Sequence, residues 1–535
     1  MAPWGYGARG DCSLGRVGAA GAVSPATVWA SQTGSVTIIA AEGNADATYA
    51  AYRLFTADVK SVEGTGETAV GVGWDSAIDT DKQQAIVSEL DALTDGAYTT
   101  WVNKKGDPTK AQNVLEFMSE RISGSIDGKD ANNQDLVGGG SFGMKFATWL
   151  VSESNIASVG EVGSREAYTG DEGYYLFVSS KPGAVVATSP IWVPVNADSP
   201  KSVFEKASVP TVDKTVDGQQ AGDAQIGEAL SFSVKATLPS NYASFETYAM
   251  KITDTPTNMV IKDGTVKVMS GKKDITDAAG VSVQVVEGGT GLTVAIENLK
   301  AADKDANATT EVVVTYEAEL TASAEAAPGS NKNEVKYEFS NNPGSTGMGT
   351  ATDTPVKVHA YQLDLAKKDK HTGVALDGAE FIIKNEQGKF YNPATKAWTF
   401  ETEEEAKANP LVTSANGSVS VYGLDKGMFE LTEVAAPKGY EVPAGDAARV
   451  TIQIRPTYEN GDLTKLEASA SGAMVDGSGQ ASSETGIVSV VATNDKNVFL
   501  AMTGAEGVGM AGAGVVALGL VWYAVRSRRE RANQQ

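Results

Sequence analysis

Three residue types recur on the apolar faces of short strands in this chain: lysine, a carboxylic acid and asparagine. Strand side chains alternate between faces, so in VPTVDKTV Lys214 shares a face with Val212 and Val216, and in LDLAKKDK Lys367 shares one with Leu363 and Leu365. The face of Tyr248, Met250 and Ile252 runs on to Asp254, and that of Phe429 and Leu431 runs on to Glu433. Asn333 begins the set Val335, Tyr337 and Phe339, while Asn494 ends the set Val488, Val490 and Ala492. Parity leaves Asn331 and Asn341 open as alternatives to Asn333, and decides against Lys368, Lys370 and Asn342. Burial disfavours both charged forms, driving an amine and a carboxyl towards neutrality. A neutral lysine can then attack the asparagine side-chain carbonyl while the protonated acid, Asp254 or Glu433, hydrogen-bonds that carbonyl and moves protons. Ammonia leaves, and an intramolecular isopeptide bond remains. One such residue alone is more simply a strand-end side chain reaching for solvent. Two complete sets, each with lysine opening and asparagine closing a domain, favour the chemistry.

These residues must be held by strands, and the rest of the chain supplies them. Alternating runs such as VSVQVVEGGTGLTVAIENL and EVVVTYEAEL, broken by Gly, Asn, Asp and Pro, predict a mainly β chain of tandem Ig-like β-sandwich domains. Helical periodicity is confined to two early pieces. DKQQAIVSELDAL places Ile86, Leu90 and Leu93 on one face; PTKAQNVLEFMSERI does the same with Ala111, Val114, Leu115, Met118 and Ile122, with Asp107 as expected N-cap and Pro108 in the first turn. The first domain therefore carries added helices. The expected divisions are a degenerate or incomplete signal region at 1–33, a first domain at 34–198, a linker at 199–208, further domains at 209–357 and 358–498, and a terminal segment at 499–535.

Composition narrows the function. A formal net charge of -23 argues against nucleic acid, and one cysteine permits no internal disulfide framework. With two histidines, no metal-ligand cluster and no phosphate loop, neither metal nor cofactor is expected. No paired-carboxylate or Ser/His site stands out, so the chain reads as no enzyme beyond its own crosslinking. From Val508 to Val525 no charged residue occurs, enough for a transmembrane helix rising roughly 27 Å. Arg526, Arg528, Arg529 and Arg531 follow, placing the tail in the cytoplasm and the rest outside.

Leu500-Ala501-Met502-Thr503-Gly504, the apolar span and the basic tail together resemble the cell-wall sorting signal of Gram-positive surface proteins. The resemblance implies cleavage between Thr503 and Gly504 by a sortase, whose cysteine would take the Thr503 acyl group as a thioester and pass it to an amine. Ala501 stands where that family has proline, which points to a dedicated pilus-type sortase.

Residues 209–357 resemble the isopeptide-forming middle domain of Gram-positive major (backbone) pilins, through VPTVDKTV, YAMKITDT and NEVKYEFSNNP. Residues 360–497 are similar to a collagen-adhesin B-type domain, and LTEVAAPKGY to its E-box, whose glutamate would be Glu433. GSVTIIAAEGNADATYAAYRLFTADV is similar to the start of the pilins' first domain. The resemblance implies a structural shaft subunit, anchored to peptidoglycan at the cell surface and joined by sortase to identical subunits. The acceptor would lie in a YPK pilin motif; the matching stretch is SVFEKASVP, giving Lys206 as the polymerisation lysine and Lys201 as runner-up. The competing expectation is a wall-anchored monomeric adhesin or ancillary pilin whose first domain binds a host ligand. An internal acceptor lysine separates the two.

Overall fold

Alternating burial runs through nearly every strand, so each sheet offers one apolar face to a partner layer. The computed structural model describes residues 32–496 apart from 41–43, 63–65, 123–139, 180–186, 189, 206 and 343–346. The sorting pentapeptide, the apolar run after it and residues 1–31 lie outside the described residues; among those described, no helix is long and apolar enough to cross a membrane.

In the first domain a 5-stranded sheet containing Thr48–Val62 and Gly173–Ser179 faces a 3-stranded sheet built on Thr33–Ile39. Val36, Ile38, Tyr49 and Phe177 fill the space between them. Helices cover the other side, where Phe117, Phe142, Phe146 and Leu150 form a second core. The two expected helices are Thr80–Leu93, capped by the Asp79 side chain, and Ala111–Ile122. Asp107 is not an N-cap: its carboxylate accepts from the Thr109 N–H and hydroxyl in a turn that ends before the helix begins. Helices not expected are Ala97–Val102, Gly140–Ser152, the single turn Leu299–Ala302 and Glu403–Ala408, the last opened by a capping box between Thr402 and Glu405. Nor is 199–208 a free linker. Lys201–Phe204 pairs in parallel with Thr33–Ile39, and Ala207–Ser208 pairs with Ala187–Thr188, so the stretch is woven into the first domain.

The second domain packs a 6-stranded sheet, with Val212–Val216 at one edge, on a 7-stranded sheet that includes Met250–Pro256 and Lys332–Ser340. Tyr248, Ile252, Val314, Tyr337 and Phe339 are among its fully buried side chains, each stabilising by roughly 1.5–3 kcal/mol for the aliphatic and aromatic cases measured. The third domain opposes a 4-stranded sheet, with Tyr361–Asp369 and Ile487–Asn494 as neighbours, to a 7-stranded one containing Gly427–Ala435.

The second and third domains meet through paired polar side chains. The buried Asp223 carboxylate accepts from the hydroxyls of Tyr361 (2.7 Å) and Tyr458 and from Lys426 (3.0 Å). Gln225 accepts from Asn385, and Lys357 pairs with Asp462. Gly423 has a left-handed φ of 66°, and a side chain there would run into Ile226 of the other domain, so glycine is required twice over.

Candidate crosslinking sites and the acceptor region

In the third domain Lys367 and Asn494 come from the first and last strands, which run parallel and adjacent, with Lys367 opposite Ala492 and Asp369 opposite Asn494. Both side chains point into the sandwich beneath Leu363, Leu365, Val490 and Ala492. Lys367 Nζ donates to Asn494 Oδ1 at 2.5 Å and stands 3.2 Å from Glu433 Oε1. Asn494 Nδ2 donates to the same Glu433 oxygen at 3.0 Å. Glu433 arrives from the opposite sheet, on Gly427–Ala435, so the acid reaches across the core to a pair formed within one sheet. Lys367 and Glu433 side chains are both wholly buried. Among the described residues, the other carboxyl oxygen of Glu433 has no hydrogen-bond partner. Phe381 lies 5.3 Å from the amine.

The second domain arrives at the same three residue types by a different route. Lys214 sits on Val212–Val216 in one sheet, while Asp254 and Asn333 lie on adjacent antiparallel strands of the other. Lys214 Nζ is ion-paired to Asp254, both side chains wholly buried. Asn333 Nδ2 donates to the Tyr316 hydroxyl at 2.7 Å, and its carbonyl oxygen has no hydrogen-bond partner among the described residues. Phe232 and Tyr316 stack on each other and flank the amine. A link here ties sheet to sheet. The expectation that it joins first and last strands needs adjusting, because Met348–Thr352 and Val356–His359 still follow the Asn333 strand.

Electrostatics favour the reactive forms in both places. Burial pulls Lys214 down to about 8 against the opposing pull of Asp254, and pushes Asp254 upward. Burial likewise lowers Lys367 and raises Glu433, each partly offset by the other. A neutral amine beside a protonated acid and an amide carbonyl can do one thing readily: close the C–N bond and expel ammonia.

The alternatives are otherwise engaged. Asn331 donates to the Glu325 and Val358 carbonyls and accepts from Asn258 and the Glu325 N–H, a structural bracket rather than a reactant. Asn341 lies past the end of Lys332–Ser340. Lys370 is half exposed and pairs with Asp495.

Lys206 lies outside the described residues. Its neighbour Glu205 is buried and holds the Asn44 amide at 2.8 and 3.0 Å. Lys201 opens the strand Lys201–Phe204 and is ion-paired to Glu67, whose other oxygen accepts from the buried Asn196 amide at 3.0 Å. Sequence reading missed this grouping, because Glu67, Asn196 and Lys201 come from three separate elements and none stands out in its own strand.

Residues 361–466 match the family model described as the SpaA prealbumin-like fold domain. The third domain is prealbumin-like. No curated protein matches this chain. Among solved structures, the T6 backbone pilin of serotype M6 Streptococcus pyogenes, with a modular three-domain structure, aligns at a TM-score of 0.54 and 14% identity over 88% of this chain and 100% of that one. The full-length major pilin SpaD from Corynebacterium diphtheriae aligns at 0.48 and 15%, over 88% and 99%. The chain thus has the fold of a three-domain backbone pilin, with the prealbumin-like domain third.

Proposed function

We propose that this protein is the shaft subunit of a Gram-positive pilus, displayed at the cell surface, polymerised covalently by a sortase and braced by two intramolecular isopeptide bonds, Lys214–Asn333 and Lys367–Asn494. The observation that carries this reading is the pair of buried Lys/acid/Asn clusters. Nothing in an ordinary core requires a lysine, an acid and an amide to be sealed together twice, since each burial is costly unless the groups satisfy or consume one another. Tension between the ends of the prealbumin-like domain would pass through one covalent bond instead of the hydrogen-bond ladder.

In assembly, sortase takes Thr503 as substrate and transfers its acyl group to a lysine at the end of the next subunit's first domain, for which the sequence offers Lys206 and Lys201. The final subunit passes to peptidoglycan. The chain turns over no external substrate; its chemistry is spent on itself. Immunoblotting of cell-wall extracts tests the reading: a shaft subunit gives a high-mass ladder that survives boiling in detergent. A single monomer band would reject it in favour of a wall-anchored adhesin.

A further inference from the structure

We infer that residues 353–359 act as a clamp that sets Lys214 against Asn333, and that Asp353 is the positioning residue within it. This deepens the crosslinking reading above and rests on it.

An edge strand is the least constrained member of a sheet, because one side of its backbone has no neighbouring strand to bond. Lys214 lies on such a strand. Among the described residues, Val212–Val216 pairs on one side only, with Ala229–Thr237. A slip or fraying of that strand would carry the amine away from Asn333, which belongs to the opposite sheet. Side chains hold the outer side instead. The Lys214 N–H donates to the Asp353 carboxylate at 2.8 Å, and the Lys214 carbonyl accepts from Gln220 Nε2 at 3.5 Å. The second Asp353 oxygen accepts from the Thr354 N–H at 2.7 Å, so the carboxylate is oriented by its own chain.

The same short segment holds the other reactant. Val356–His359 runs antiparallel to the Asn333 strand, with Val356 opposite Asn333 and Lys357 opposite Lys332. The Val358 N–H donates to the Asn331 carbonyl at 2.9 Å, and Asn331 Nδ2 donates back to the Val358 carbonyl at 3.1 Å. Along its other edge it pairs in parallel with Ala221–Asp223, the strand after that of Lys214. One stretch therefore fixes the backbone of the nucleophile at one end and that of the electrophile at the other. Lys214 Nζ already stands 3.5 Å from the Glu334 carbonyl, one residue from its target. Because the clamp lies C-terminal to both reactants, the second domain locks only once the chain has folded through His359. The third domain needs no such device: Lys367 lies on a strand paired on both sides, and its N–H is held by the Gly417 main-chain carbonyl at 2.7 Å.

The bond changes are those of the crosslink itself. Lys214 Nζ joins Asn333 Cγ, the Cγ–Nδ2 bond breaks, and Asp254 passes one amine proton to the leaving nitrogen, which departs as ammonia. Asp353 touches none of these atoms and acts through the backbone of Lys214. Its charge works the other way, since a carboxylate near the amine favours the protonated, unreactive form. Position and charge therefore predict opposite effects of removing it.

The test makes the full chain by cell-free translation, quenches it in denaturant at intervals, and follows the branched Lys214–Asn333 and Lys367–Asn494 peptides in the digest by mass. Asp353→Ala should slow the Lys214–Asn333 link on the order of tenfold, the loss expected for one hydrogen bond to a charged group, while the Lys367–Asn494 link in the same molecules forms at the wild-type rate. Asp353→Asn keeps an acceptor for the Lys214 N–H and drops the charge, so it should recover most of the rate. An unchanged rate in Asp353→Ala would leave Asp353 no part in placing the amine and would overturn the inference. Faster linking in both variants would overturn it too, making Asp353 an electrostatic brake. Equal slowing of both links in Asp353→Ala would show a general folding defect, and would also overturn it. In each of these cases the wild-type links stand; a wild type that never yields the Lys214–Asn333 peptide removes the crosslinking reading as well.

Discussion

Replacing Glu433 by glutamine tests the crosslink chemistry where its geometry is most complete. Glutamine keeps the size of the side chain and an acceptor for Asn494, but it cannot take and return the protons that pass between Lys367 and the leaving ammonia. The variant should fold, stay uncrosslinked and, once the mass change of the substitution itself is subtracted, retain the ammonia that the wild-type link expels. A Lys367–Asn494 link would close a loop with a separation of 127 residues, so on the loop-entropy model its loss would remove about 5 kcal/mol of stability. For a domain of this size each kcal/mol moves the midpoint by roughly 3–5 °C, giving a fall of about 15–25 °C. The buried Lys367 amine, deprived of its acid, adds to that fall. Differential scanning calorimetry of residues 209–496, paired with intact mass, reads both quantities. A variant as light as wild type would show that the acid is dispensable. Full mass with an unchanged midpoint would show that the link does not stabilise the prealbumin-like domain.

Three further outcomes follow from the geometry. Tyr316→Phe removes the hydroxyl that holds the Asn333 amide, so ammonia loss from the second domain, followed by mass after refolding, should slow without stopping; an unchanged rate would deny Tyr316 any part in aiming the amide. Burial beside Glu228 and Asp223 lifts Asp425 at the domain junction to about 7. The folded state then keeps a proton that the unfolded chain releases near pH 4, so stability falls as pH rises from about 4 to 7 and is level beyond. Asp425→Asn should therefore gain in midpoint over wild type across that window and hold the gain above it, and a difference independent of pH would contradict the assignment. Under tension the second domain has 27 residues (334 to 360) between Asn333 and the first strand of the third domain, so single-molecule pulling should give an extension of at most roughly 100 Å from it; a step of several times that length would mean the Lys214–Asn333 link is absent.

Much of the site is legible in the sequence, because strand parity alone decides which side chains face inward. Lys214, Asp254, Asn333, Lys367, Glu433 and Asn494 all lie buried on the faces that alternation assigns them. Parity cannot pair strands, so it left Asn331 and Asn341 open; hydrogen bonding to Glu325 and Val358 removes the first, and strand length the second. Nor could it say that Lys214 and Asn333 would face each other across two sheets while Lys367 and Asn494 would share one. The helix Gly140–Ser152 escaped because its stripe of Phe142, Phe146 and Leu150 sits in a stretch opened by glycine, a poor helix former. The grouping of Lys201, Glu67 and Asn196 joins residues up to 134 positions apart (201 − 67), and only the folded backbone brings them together. Asp107 failed as a cap for a local reason: its carboxylate is taken by Thr109 before the helix starts.

The central claim is that two buried lysines have been consumed by two buried asparagines. The intact mass of denatured residues 34–496, followed by fragmentation of the digest, addresses it most directly. The expected mass is short of two ammonias, with one branched peptide joining Lys214 to Asn333 and another joining Lys367 to Asn494. Full unmodified mass, or links that fall on Asn331 or Asn341, would contradict it.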